Sequence, residues 1–162
     1  RSYLISEQMS SKIWFQHTIS DKIKFTKRKP LSIININNGN FLENISYIDT
    51  TINTFNSEIQ WDGMWNRVTA HERVKQNHTL FILLENNTPI GHLWYDSDYV
   101  YNVYVSKERQ DGDASWFVQE TMLLMNKEHS INTFRLYVDE WNDRAKGFFE
   151  KIGYTKNELL TK

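Results

Sequence analysis

Residues 99–128 read YVYNVYV SKERQDGDA SWFVQETMLLMNKE, three segments of different character in a row. Tyr99 to Val105 is apolar and rich in β-branched and aromatic side chains, the composition of a buried strand. Ser106 to Ala114 is polar and carries Gly112, so it reads as a loop. From Ser115 to Glu128 the spacing predicts a helix. A strand, a short loop and a helix N-terminus bring main-chain N–H groups and the positive end of the helix dipole to one point. That arrangement suits an anion, and above all a phosphate.

Upstream of this unit, Thr79–Glu85 and Ile90–Tyr95 read as two strands around an Asn86–Pro89 turn, and Asp96-Ser97-Asp98 turns into the strand at Tyr99. Earlier still, Leu31–Asn37 alternates as a strand. Phe41, Ile45, Ile48, Ile52 and Phe55 then recur at helical spacing behind Asn40 and Glu43, which are placed as a capping box. A second helix is expected from Trp61, with Trp61, Trp65 and Val68 on one face. Downstream, Thr133–Asp139 reads as a strand, and Asn142–Ile152 as an amphipathic helix closed by Gly153. Ser6–Thr18 is expected to be helical, and Pro30 divides an N-terminal extension, 1–30, from one domain, 31–162. The element order implies an α/β (α+β) layered domain with helices packed on a mixed sheet.

Composition narrows the function. The chain has 162 residues, 40% of them hydrophobic and none of them cysteine, which excludes disulfides, zinc–thiolate sites and thiol nucleophiles. No run approaches the roughly 20 apolar residues of a membrane helix, and no signal-peptide pattern is visible, so a cytoplasmic location is expected. The net charge of −1 hides an asymmetry. Residues 1–30 hold seven Lys/Arg against Glu7 and Asp21, while the remainder is acidic. An acidic body argues against a nucleic-acid-binding face. The five histidines show no metal-ligand spacing, so no metal site is expected.

Two segments resemble the GNAT superfamily of acyl-CoA N-acyltransferases. Arg109-Gln110-Asp111-Gly112-Asp113-Ala114 matches its pyrophosphate loop, Arg/Gln-x-x-Gly-x-Gly/Ala, directly after a strand and into a helix. Asn142-Asp-Arg-Ala145-Lys-Gly-Phe148-Phe149-Glu150-Lys151-Ile-Gly153-Tyr154 is similar to its later signature, which ends Tyr-Glu-Lys-x-Gly-aromatic. The resemblance implies a mixed, mostly antiparallel sheet with helices on both faces, and acetyl-CoA as the acyl donor to a primary amine. It implies that the loop holds the pyrophosphate and that the strand before it splays from its neighbour. Val103 and Val105 would then offer main-chain groups to the pantetheine arm and the thioester, where N–H groups also stabilise a developing oxyanion. Asn142 and Phe149 would meet the cofactor too, and Asn142 is equally suited to capping a helix.

The departures from the family pattern carry chemistry. Asp111 and Asp113 flank Gly112, and each carboxylate repels a pyrophosphate charge by about 1 kcal/mol at 4 Å in water. Phe149 stands where the family commonly has a tyrosine that protonates the departing thiolate; Tyr95, Tyr99, Tyr101, Tyr104 and Tyr154 are the candidate substitutes, unranked by the sequence. An alkylamine at neutral pH loses about 4.6 kcal/mol of nucleophile to protonation, so a base matters more. Asp98, with Asp96 as its neighbour, stands about where several family members place a carboxylate, although both also suit a polar turn. Nine residues follow Gly153, where the family usually continues through two strands. The final strand is therefore expected to be missing, leaving an edge open to the N-terminal extension or to a second copy as a homodimer. A non-catalytic module that binds CoA or a protein is the competing expectation, motivated by Phe149 and the loop aspartates.

Overall fold

The computed structural model describes residues 2–4, 11–19, 25–28, 30–59, 65–109 and 111–157, with the main chain alone at 2–4 and 111. Strands run β1 (Ser2–Leu4), β2 (Lys12–Thr18), β3 (Leu31–Ile36), β4 (Thr79–Glu85), β5 (Thr88–Asp96), β6 (Tyr99–Val105), β7 (Thr133–Asp139) and β8 (Thr155–Lys156). Helices are α1 (Ile45–Glu58), α2 (Arg67–Lys75), α3 (Asp111–His129) and α4 (Asp143–Ile152). The sheet is ordered β3-β4-β5-β6-β7-β2-β8, with β1 against β6. Among the described residues only β6 and β7 pair in parallel. This is the mixed, mostly antiparallel sheet expected.

Two apolar clusters sandwich it. Phe81, Leu93, Val103 and Val105 pack with Phe117, Met122 and Phe149 of α3 and α4 on one face. Ile82, Trp94 and Tyr104 pack with Ile48, Ile52, Phe55 and Val74 of α1 and α2 on the other. Alternation along β4 and β5 serves both faces, which is why Thr79–Glu85 is apolar nearly throughout.

Several expectations need correction. Lys12–Thr18 is a strand, not the end of a helix; the remainder of the expected Ser6–Thr18 helix lies largely outside the described residues. KIWFQHT has β-branched and aromatic side chains that fit a pleated surface, and pairing with β7 at all seven positions outweighs its local ambiguity. The strand sits between β7 and β8, so the sheet crosses the boundary drawn at Pro30. Ahead of α1 there is a 3-10 turn, Leu42–Asn44, and the Asn40/Glu43 capping box is not made. Asn40 instead bonds the main chain of Asn35 and Asn37. The helical spacing was real, but the polar side chains found partners in the preceding turn. Before α2, the residues around Trp61 lie outside the described set; Asn66 caps that helix with Thr69 as its reciprocal partner. Trp65 is buried ahead of the helix while Val68 is exposed, so the two share no face. Helix α3 begins at Asp111, earlier than the expected Ser115.

At the C-terminal end, only Thr155–Lys156 pairs as a strand among the described residues after Gly153. The neighbouring place is taken by β2, which pairs with both β7 and β8. The N-terminal extension therefore covers that edge of β7. His17 Nδ1 lies 2.9 Å from the Gly153 carbonyl oxygen, and a Cβ on Gly153 would come within 2.7 Å of the His17 ring.

Candidate functional site: a wedge between two parallel strands

Strands β6 and β7 pair at one position among the described residues, Tyr99 with Arg135, and then part. The wedge opens toward Val103 and Val105, toward the N-terminus of α3 and toward Asn142 at the start of α4. Both valine side chains are buried in the core, so only their main chain is available to a guest. Asn142 accepts a hydrogen bond from the Ala145 N–H at 3.1 Å and thereby caps α4. Phe149 is fully buried against Phe148 and Tyr154.

The loop into α3 is held by ions. Arg109 Nη1 pairs with Glu85 at 2.5 Å. Arg28 reaches the same carboxylate at 2.5 Å and grips Asp113 through Nε at 3.2 Å and Nη2 at 2.9 Å. The acid beside Gly112 is therefore neutralised from the N-terminal extension, which offsets the repulsion expected of Asp113. These hydrogen bonds, to Asp113 first and Glu85 second, raise the Arg28 pKa further. Main-chain bonds from Phe25 to the Gln119 side chain, at 2.9 and 2.8 Å, seat the same segment on α3.

The loop has room and donors for an anion. A Cβ on Gly112 would meet nothing within 4 Å. Arg109 Nε and Ser115 Oγ are buried without a partner, a costly state that an anionic guest would relieve. Gln110 lies outside the described residues, and Asp111 is described only in its main chain, as the first residue of α3. Arg109, the open space at Gly112 and Ser115 thus fit a phosphate group. The strand edge is different, because β1 lies on it: Leu4 is paired with Val103 and Ser2 with Tyr104. β1 also touches α4.

At the closed end of the wedge, Asp98 is held by Arg135, whose Nε lies 3.2 and 3.3 Å from its carboxylate oxygens and whose N–H donates to its carbonyl. Arg135 also lies over the rings of Trp14 and Tyr99. Asp96 sits 3.7 Å from His78, but burial pushes that histidine down, against the pull of Asp96, so the contact is not an ion pair at neutral pH. Of the phenols, Tyr95 donates or accepts at Thr121, Tyr154 donates to Met122, and Tyr101 meets His78 Nδ1 at 2.8 Å. Burial pushes all three phenol pKa values up.

Three participants escaped the sequence. Glu58, at the end of α1, accepts from the Tyr104 hydroxyl and lies 3.4 Å from Ser106 Oγ, beside the open part of β6. His92 is buried between Thr51 and Asn102, at 2.8 and 3.0 Å, and burial holds its pKa at about 4. Arg28 belonged to the basic cluster, but its partners lie 57 and 85 residues away. Nothing local marks any of them.

No family model matches the sequence, and no curated protein matches it significantly. Solved structures do. An aminoglycoside acetyltransferase from an uncultured soil metagenomic sample, in complex with trehalose, superposes with a TM-score of 0.61 at 17% identity, over 82% of this chain and 93% of that one. A predicted acetyltransferase from Clostridium acetobutylicum, solved with acetyl-CoA, gives 0.53 at 13% identity over 82% and 94%. The acetyltransferase from Salmonella typhimurium that modifies the N-terminal serine of ribosomal protein L7/L12 gives 0.56 at 12% over 79% and 82%. Among the described residues no helix is long and apolar enough to cross a membrane, and no cluster of His, Cys, Asp or Glu is suited to a metal. With its parted parallel strands and its helix N-terminus at the mouth of the wedge, the chain has the fold of the GNAT acetyltransferases.

Proposed function

We propose that the protein transfers an acetyl group from acetyl-CoA to a primary amine by direct attack in a ternary complex. The observation that carries this reading is the parting of β6 and β7 directly ahead of an anion-suited loop and helix. Acetyl-CoA supplies the thioester and, in CoA, its leaving group. Residues 109–114 hold the pyrophosphate through main-chain N–H groups at the start of α3, with Arg28 cancelling the charge of Asp113. The main chain of Val103 and Val105 orients the arm and polarises the carbonyl, with Asn142 and Phe149 on the opposite wall. A cysteine-free chain fits a cytoplasmic setting.

Asp98 takes the proton that the amine loses, or draws a cationic amine toward the wedge. Its ion pair with Arg135 fixes its orientation. The acidic turn Asp96–Asp98 and the rings of Tyr99 and Tyr101 beside it favour a cationic acceptor. The test is CoA release measured with a thiol reagent over a panel of polyamines, aminoglycosides and peptides. Asp98→Asn is expected to lower kcat/KM by roughly 10²–10⁴ with acetyl-CoA affinity unchanged. If acetyl-CoA binds and no amine releases CoA, the second reading holds, that of a non-catalytic module. The occupation of the β6 edge by β1 is the observation favouring that reading.

A further inference from the structure

Each residue of β6 has one N–H and one C=O, and a strand edge accepts one occupant at a time. Toward β5, β6 is paired from Gly91–Val105 to Asp96–Tyr99. Toward the wedge, Val103 and Tyr104 are paired with β1. We propose that residues Ser2–Leu4 are an internal plug: β1 occupies the strand edge that the acyl-CoA arm needs, and acetyl-CoA binds by displacing it. This inference rests on the transferase reading above.

The construction of the N-terminal extension suits a removable plug. β2 pairs with β7 at seven positions and with β8 at two, and it buries Phe15 completely. Residues 25–28 are fastened to α3 through Gln119 and Asp113. β1 pairs at two positions, with a shift in register between them. The extension is therefore secured along β2 and at α3, and lightly held at the edge of β6. Releasing β1 breaks two pairings and leaves the rest of the sheet as it is. Because β1 also touches α4, lifting it opens the space between Val103 and that helix. The plug lowers the apparent affinity for acetyl-CoA by the fraction of molecules in which the edge is open.

The experiment compares the full chain with a chain lacking residues 1–5, and with Leu4→Pro in the full chain, which removes a main-chain donor while keeping length. Acetyl-CoA is titrated by calorimetry, and exchange of the Val103–Val105 amides is followed without ligand. The shortened chain is expected to bind about tenfold tighter or better, corresponding to an edge open in one molecule in ten or fewer. Its β6 amides lose protection and regain it with acetyl-CoA. Leu4→Pro shifts both readouts the same way, and a synthetic RSYLIS peptide added to the shortened chain weakens acetyl-CoA binding again. Equal affinity in both chains overturns the plug and leaves the transferase reading standing. Absence of acetyl-CoA binding in both overturns the two together. Equal amide protection in the two chains overturns the plug whatever the affinities.

Discussion

The two edges of β7 differ sharply. On one side β2 runs antiparallel to it from Lys12–Asp139 to Thr18–Thr133, seven pairs without a gap. On the other side β6 meets it at Tyr99–Arg135 and then leaves. One strand thus has a structural edge and a working edge. The first is closed by a segment from far away in sequence; the second is kept apart, and what lies in the gap is short and weakly held. Pairing along a whole strand gives a sheet its stability, whereas pairing at one or two positions can be exchanged for a ligand.

Substitutions separate these edges by size of effect. Phe15→Ala, on the structural edge, leaves a cavity under β2 and is expected to cost about 4 kcal/mol in denaturant unfolding. A cost below 1 kcal/mol would mean that β2 is peripheral. For scale inside the sheet, His92 is kept neutral by burial, with a folded pKa of about 4 against 6.5 when unfolded. The unfolded chain binds the extra proton between those values, so stability is complete above pH 6.5 and falls as the pH drops toward 4. Between pH 6.5 and 5 the protein should lose about 2 kcal/mol more than its His92→Gln variant.

Gly153 has φ near 123° and the His17 ring against it. Gly153→Ala therefore strains the junction of α4 with β2, and about 2 kcal/mol is expected in the same assay. Arg28→Gln leaves the buried Asp113 carboxylate without that partner; a smaller loss than that of Gly153→Ala is expected in the same assay, together with weaker binding of acetyl-CoA. Removal of residues 1–5, on the working edge, should cost about 1.4 kcal/mol, the free energy of an edge closed ten times in eleven. A loss as large as that of Phe15→Ala would erase the distinction between the edges.

Periodicity made most of the middle of the chain legible. Strands β4 to β7 and helices α1, α3 and α4 follow from apolar spacing, whereas the wedge was implied only by the resemblance of the loop after Val105 and the Asn142–Tyr154 segment to the GNAT signatures. The N-terminal part was not legible, because KIWFQHT has no turn signals to declare its type and its partners are supplied by β7 and β8. The state of the loop aspartates was also hidden. Asp113 looks repulsive in sequence, and only the fold brings Arg28 to it. Asn40 and Glu43 show the opposite error, since a pattern that fits a capping box was overruled by nearby main-chain acceptors.

The position of β2 also sets an order of events during synthesis. Its contacts with β7 span 115 residues at Thr18–Thr133 and 127 at Lys12–Asp139, and those with β8 span 139. Among the sheet's long strands, the one that leaves the ribosome first has to wait for the last ones before it can be seated. Until then β7 lacks a neighbour on that side, and the nascent chain carries an aromatic segment without its binding partner. Closure of so long a loop is slow, so completion of the sheet should be a late step of folding.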